Sequence, residues 1–176
     1  MARRSKRSAQ TWDDAVRSYR LALQVDGKSP DTLKSYNTSL AQFRAFLVTQ
    51  NRPTDPDRIE RDDVNAFLAD LRVIKERRPG TIATRYDALK GFFHRLEDEG
   101  EIDVSPMAKM HRPTVPLTDV PLIPLEVTRA LISSCDRRSF NGRRDEALFW
   151  VFLDTGLRVG GLVSMTAEGT DLASCP

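Results

Sequence analysis

The stretch SPDTLKSYNTSLAQFRAFL, residues 29–47, predicts an amphipathic helix and sets the fold expected for the chain. Ser29 suits the N-cap position, and Pro30 follows at the first helical position, where the missing N–H of proline costs nothing. Because an apolar helix face must be buried against other elements, this segment predicts a helical domain around itself. The apolar side chains recur every three or four residues, at Leu33, Tyr36, Leu40, Phe43 and Leu47.

Three more segments of this kind flank residues 29–47. A first helix is expected over residues 11–25 and a third over residues 62–71. A fourth should open at Thr81 and end at Gly100, since glycine suits the left-handed residue that closes a helix. Four amphipathic helices with short connections predict a small helical bundle, with Trp12 in its core.

Proline content divides the chain into parts. Four prolines among polar residues, between residues 104 and 123, are typical of an extended linker. The sequence therefore predicts a disordered basic arm, a core helical domain, a linker and a second domain, which cover residues 1–10, 11–103, 104–123 and 124–176.

The second domain has a less regular pattern. The sequence predicts a helix over residues 124–136, a turn at Asn141 and Gly142, and a buried helix over residues 144–154 with Trp150 in the core. The tail, residues 166–176, has weak periodicity and is interpreted as the start of a strand.

Composition excludes several classes of protein. The formal net charge is only +2, from 27 basic and 25 acidic residues, but basic residues concentrate at the N-terminus and over residues 72–95, which predicts one basic face. Two cysteines are too few for a disulfide framework or a zinc site. The longest apolar run, residues 147–153, is too short to cross a membrane, and no secretory signal follows the basic N-terminus. These features predict a cytoplasmic protein.

An arginine follows an apolar helix and a glycine stop in RDEALFWVFLDTGLRVGGL, residues 144–162. The pattern predicts that a helix ends near Gly156 and that Arg158 lies in the first turn of the next one. The free N–H groups and positive dipole end of a helix N-terminus favour an anion, such as phosphate, near that arginine.

This pattern resembles the first active-site box of the tyrosine recombinase (phage integrase) family, in which the arginine of a Thr-Gly-Leu-Arg turn holds the scissile DNA phosphate. Upstream, TLKSYNTSLAQFRAFL and GTIATRYDALKGFFHRLEDEG resemble the second and fourth helices of the core-binding domain of that family, and PLEVTRALI resembles the first helix of its catalytic domain. The resemblance implies an all-α fold, in which a four-helix SAM-like core-binding bundle is followed by an incomplete, mainly helical N-terminal part of the catalytic domain.

The resemblance assigns Arg158 to the scissile phosphate. Family members carry a lysine, a His-x-x-Arg box, a further His or Trp and the nucleophilic tyrosine after this arginine, whereas none of these residue types follows Arg158 here. Gly161 also stands where the family usually has a glutamate. These departures imply a protein truncated after its first catalytic arginine, with Arg158 a vestigial phosphate contact and with no catalysis by itself. No metal or nucleotide cofactor is implied. The three tyrosines, all on apolar helix faces, are expected in the core: Tyr19, Tyr36 and Tyr86.

The resemblance also implies that the protein serves site-specific recombination and DNA integration. Double-stranded DNA at the nucleoid is the expected partner and an intact recombinase protomer a second candidate, with no membrane and no small-molecule substrate. A non-enzymatic helical DNA-binding regulator or interaction module remains the alternative. The candidate DNA contacts are basic or hydroxyl side chains on the second and fourth helices, which would mainly bind phosphates: Lys34, Ser35, Arg44, Thr81, Thr84, Arg85, Lys90 and Arg95.

Overall fold

The computed structural model describes residues 11–117, 119, 121–166 and 169, and every regular element in those ranges is helical. The chain divides into two compact units, Met1–Leu117 and Thr118–Pro176. This confirms the predicted all-α class. None of the described helices is long and apolar enough to cross a membrane. The first unit contains α1 to α4 and the second α5 to α7: Trp12–Val25, Pro30–Thr49, Arg61–Ala69, Pro79–Asp98, Leu125–Ser133, Phe140–Thr155 and Val159–Val163.

The helix ends of the first unit follow from local chemistry. The side chain of Ser29 caps α2 by accepting a hydrogen bond from the N–H of Thr32, as the sequence predicts, and Thr11 caps α1 in the same way. Gly27 and Gly100 follow α1 and α4 with φ angles of 68° and 70°, a left-handed conformation that glycine adopts at little cost.

An aromatic cluster forms the core of the first unit. Phe43 of α2 packs against Phe67 of α3 and Phe93 of α4, with ring centroids 5.2 and 6.3 Å apart. Trp12 of α1 lies 5.2 Å from Phe92 of α4, so all four helices share one core. These five side chains are buried, which confirms the predicted core position of Trp12.

A π-helical turn, Asp70–Ile74, continues α3 and was not predicted from the sequence. Lys75 ends it and forms an ion pair with Asp70 at 2.9 Å. Glu76 then takes a positive φ of 46°, which is uncommon for a residue with a side chain and turns the backbone sharply. This turn leads directly into Arg77 and Arg78, which precede α4.

Residues 102–112, here named the strap, lie against α4. The side chains of Ile102 and Met107 are buried in the core of the first unit. The hydroxyl of Tyr86 donates a 2.6 Å hydrogen bond to the carbonyl of Met110, and Arg112 donates to both carboxylate oxygens of Asp87. The first half of the proline-rich segment is therefore held by the bundle.

The second unit begins its long helix earlier than the sequence predicts. Asn141 and Gly142 lie in the first turn of α6, and the predicted turn there is wrong. Ser139 is the N-cap and accepts a hydrogen bond from the N–H of Gly142 at 3.0 Å. A β-carbon at Gly142 would stand 2.0 Å from the carbonyl oxygen of Asp136, so this glycine permits a close approach of backbone to helix.

Little apolar surface is buried in the described part of the second unit. Ile132 is its one buried large side chain there, whereas Trp150 is 55% exposed and Phe140 is 73% exposed. The predicted core position of Trp150 is therefore wrong, because the described residues leave more than half of its side chain exposed. The predicted basic arm, residues 1–10, and nearly all of the predicted tail strand lie outside the described residues.

Candidate nucleic-acid interface

Arg85 of α4 crosses to α2 and is held there by neutral groups. Its Nε donates to Oε1 of Gln42 at 2.8 Å, and one terminal nitrogen donates to Oγ of Ser39 at 3.1 Å. Ser39 is fully buried and donates its own proton to the carbonyl of Ser35 at 2.7 Å, so its oxygen is oriented to accept from Arg85. The guanidinium is thus fixed in place without a carboxylate.

The charge of a second arginine, Arg77, acts on Arg85. Burial lowers the pKa of Arg85, and the positive charge of Arg77 lowers that pKa further. Arg77 and Gln42 also line one groove between α2 and the π-helical turn. No ion pair to Arg77 or Arg85 occurs among residues 11–117, so the charges of both remain uncompensated.

The start of α4 adds to this basic surface. Its N-cap is Arg78, no side chain caps the helix, and its first turn has no acidic residue. Thr81 is half-buried in that turn, and the hydroxyl of Thr84 donates to the carbonyl of Gly80 at 2.9 Å. The positive end of the helix dipole therefore adds to the charges of the arginines.

Several other arginines of the first unit pair with carboxylates instead. Arg44 donates to both oxygens of Asp13, at 2.6 and 3.1 Å, between α2 and α1. Arg95 donates to Glu99 at 2.6 Å, and a hydrogen bond and charge from Glu99 raise the pKa of Arg95. The same causes, supplied by Asp87, raise the pKa of Arg112.

The structure brings together only part of the predicted contact set. Arg85, Thr81 and Thr84 lie on the first half of α4, with Arg85 joined to α2 four residues beyond Ser35. Lys90 lies elsewhere, with its ammonium 5.9 Å from the ring centre of Tyr86 and in a groove beside the strap. Lys34 is exposed on α2, while Arg44 and Arg95 are engaged as described above.

Three residues of this surface were not among the predicted contacts. Ser39 and Gln42 lie four and seven residues after Ser35, a spacing that continues one polar stripe along α2. Arg77 belongs to the basic turn before α4, but the sequence alone does not show that this turn reaches Arg85. The polar stripe on α2 could have indicated Ser39 and Gln42 from the sequence. The contact between α2 and α4 could not be read from the sequence.

Arg158 lies in the second unit, at the N-cap of α7 and not in its first turn as predicted. The helix before it ends at Thr155, and Gly156 takes the left-handed conformation with a φ of 64°, as the sequence predicts. Arg158 is exposed, and its side chain makes no hydrogen bond or ion pair within the described residues. Its guanidinium is therefore available to an external anion.

The described residues contain no group of three or more His, Cys, Asp or Glu side chains placed to hold a metal ion. Tyr19 and Tyr86 are buried and Tyr36 is half-buried, stacked 6.4 Å from the ring of Tyr19. Burial raises the pKa of Tyr19 and of Tyr86, so both hydroxyls stay protonated at neutral pH. These tyrosines pack the first unit.

Comparisons with a protein-family model and with curated proteins point to the same family. Residues 16–101 match the family described as phage integrase, N-terminal SAM-like domain. The chain is 33% identical to tyrosine recombinase XerD of Listeria innocua over 83% of its own length and 49% of that protein. It is 32% identical to tyrosine recombinase XerC of Herpetosiphon aurantiacus, over 84% of this chain and 48% of the relative.

The chain spans about half the length of the curated relatives that it matches. No solved structure gives a significant match. The matched domain coincides with the four-helix unit that carries Arg77 and Arg85, and the matches to full relatives extend over most of the chain. The chain belongs to the tyrosine recombinase (phage integrase) family.

Proposed function

We propose that the chain binds double-stranded DNA in site-specific recombination or integration. The first unit acts as the DNA-binding part and mainly contacts phosphates. The observation that carries this proposal is the uncompensated pair Arg77 and Arg85 at the start of α4. The relatives named above are tyrosine recombinases, and this supplies the process.

The basic surface supports affinity for DNA more than it supports recognition of a sequence. Arginine, threonine and helix N-termini are the usual donors to phosphate oxygens, and such contacts position a protein on the duplex without reading bases. In the second unit, exposed Arg158 is proposed as an additional phosphate contact. We place this activity in the cytoplasm at the nucleoid, with an intact recombinase protomer as a second proposed partner.

The 176-residue polypeptide is proposed to bind DNA without cleaving it. Covalent catalysis needs an accessible nucleophile next to a group that accepts or donates its proton. The three tyrosines of the chain are packed within the first unit, and the hydroxyl of Tyr86 is bonded to a backbone carbonyl. We therefore expect no phosphotyrosyl adduct on this polypeptide, even with nicked suicide substrates.

Duplex binding at graded salt tests the proposal. Fluorescence anisotropy with a labelled duplex of about 30 base pairs should show binding whose log K falls against log[salt] with a slope of roughly −4 to −5, if about five phosphates are neutralised. Unrelated duplex sequences should bind with similar affinity. Absence of binding at low salt would contradict the proposal and favour a helical interaction module that does not bind DNA.

A further inference from the structure

Arg77 and Arg85 differ from the paired arginines of the first unit. Arg44, Arg52, Arg95 and Arg112 each bond to a carboxylate there. Arg85 bonds to an amide and a hydroxyl, and Arg77 has no ion-pair partner among the described residues. Two like charges held near each other without a counter-charge repel, and an anion bound between them removes that repulsion.

Arg85 is also preorganised for a ligand. A guanidinium has five N–H donors, and the bonds to Gln42 and Ser39 use two of them. Because its position is already fixed, little side-chain entropy is lost when the remaining donors bind a ligand. Phosphate oxygens, like those of a carboxylate, match the geometry of a guanidinium fork.

We propose that Arg77 and Arg85 together form a binding site for one phosphate group, which in a DNA complex is a single backbone phosphate of the duplex. Arg85 supplies the fixed fork, anchored on α2 by Ser39 and Gln42. Arg77 closes on the same group from the turn before α4, and Thr81 adds a neutral hydroxyl in the first turn of that helix. This inference rests on the proposed DNA-binding function and specifies its central contact.

The first arm of the test uses duplex DNA and the full chain. Arg77→Ala and Arg85→Ala should each weaken binding about tenfold at low salt, the loss expected for a charge-assisted contact. Because both arginines share one phosphate, the double variant should lose about one unit of salt slope and not two. Its loss of affinity should also be smaller than the product of the two single losses.

Two further variants act as controls, one for the guanidinium geometry and one for the loss of an arginine elsewhere on the first unit. Arg85→Lys keeps the charge but removes the planar fork, so it should bind more weakly than the wild type. Arg61→Ala removes an exposed arginine on α3, beside Asp62, and should leave affinity and slope unchanged. Arg77 is exposed, so Arg77→Ala tests the site without disturbing the core, as thermal melting will verify.

The second arm uses inorganic phosphate without DNA. In 1H–15N spectra of arginine side chains, the Nε signal of Arg85 should shift on titration with phosphate, and Arg77→Ala should weaken that shift several-fold. If the wild type binds duplex but Arg77→Ala and Arg85→Ala bind equally well with the same slope, the inference is overturned while the proposed function stands. If the wild type binds no duplex, the proposed function fails. The phosphate titration then decides alone, with an Arg77-dependent shift supporting a free-phosphate site and no shift overturning it.

Discussion

The two units of the chain contain similar helices but differ in what those helices bury. In the first unit, α1 to α4 enclose an aromatic cluster that includes Trp12, Phe43, Phe67 and Phe93. In the second, α6 is 16 residues long and correctly capped, yet Trp150 remains 55% exposed on it. Since burial of apolar surface drives folding, helix content alone does not make the two units equally stable.

The difference also separates two kinds of arginine site. Arg85 is fixed by a packed neighbour helix, while Arg158 is the N-cap residue of a five-residue helix and its side chain has no described partner. A fixed guanidinium binds a phosphate with less loss of entropy than a free one does. We therefore expect the first unit to dominate DNA affinity in this polypeptide.

The largest expected effect comes from the core of the first unit. Phe93→Ala should lower the free energy of unfolding by about 3–5 kcal/mol because it leaves a cavity among aromatic rings. Trp150→Phe, at an exposed site of α6, should change it by less than about 0.5 kcal/mol. Urea titration followed by tryptophan fluorescence, in the Trp150→Phe background, shows the effect of Phe93→Ala on the first unit alone. The reason is that Trp12 is then the one remaining tryptophan. Equal effects at the two sites would contradict the comparison.

Glycine substitutions compare the packing of the two units through smaller changes in stability. A β-carbon at Gly91 in α4 would stand 2.6 Å from the hydroxyl oxygen of Tyr19, which is packed in the core, whereas nothing lies within 4 Å of one at Gly160 in α7. Gly91→Ala should therefore destabilise the first unit by about 1 kcal/mol net, despite better helix propensity. Gly160→Ala should stabilise α7 by up to about 1 kcal/mol. Urea midpoints and amide exchange measure the two changes, and a stabilising Gly91→Ala would refute the close packing.

A comparably small effect is expected at alkaline pH, where the bond between Tyr86 and the strap is involved. Burial raises the pKa of Tyr86 in the folded state, so the unfolded chain loses this proton first, near pH 10. The contribution of the protonated Tyr86 hydroxyl to the stability of the fold is thus complete below about pH 10. It is lost as the pH rises from there through the pKa of Tyr86 in the folded state. Tyr86→Phe should cost about 1 kcal/mol at neutral pH, through the lost bond to Met110, and should flatten the alkaline loss.

Urea midpoints at about pH 8 and about pH 10.5 test the tyrosine prediction. Tyr19→Phe is the matched variant, because burial raises the pKa of Tyr19 too and its hydroxyl lies near Gly91 and not at Met110. Both variants should lose less stability than the wild type between the two pH values. An unchanged loss in Tyr86→Phe would show that its hydroxyl does not control the alkaline transition.

The sequence predicted most of the first unit because its signals are local. Ser29, Pro30 and the apolar stripe of α2 act within one helix, and the structure confirms them. The turn at Asn141 and Gly142 was wrong because a competing local signal, the N-cap at Ser139, prevailed. The π-helical turn and the bond from Arg85 to Ser39 depend on contacts between helices, which residue spacing does not specify. The predicted domain boundaries and DNA contacts stay predictions.

Hydrogen exchange of the full chain, with and without duplex DNA, tests the central claim most directly. The account predicts strong, cooperative protection of α1 to α4, rapid exchange in α5 to α7, and added protection on DNA binding over residues 77–85. Equal, strong protection of both units, or a DNA footprint that leaves residues 77–85 unchanged, would contradict it.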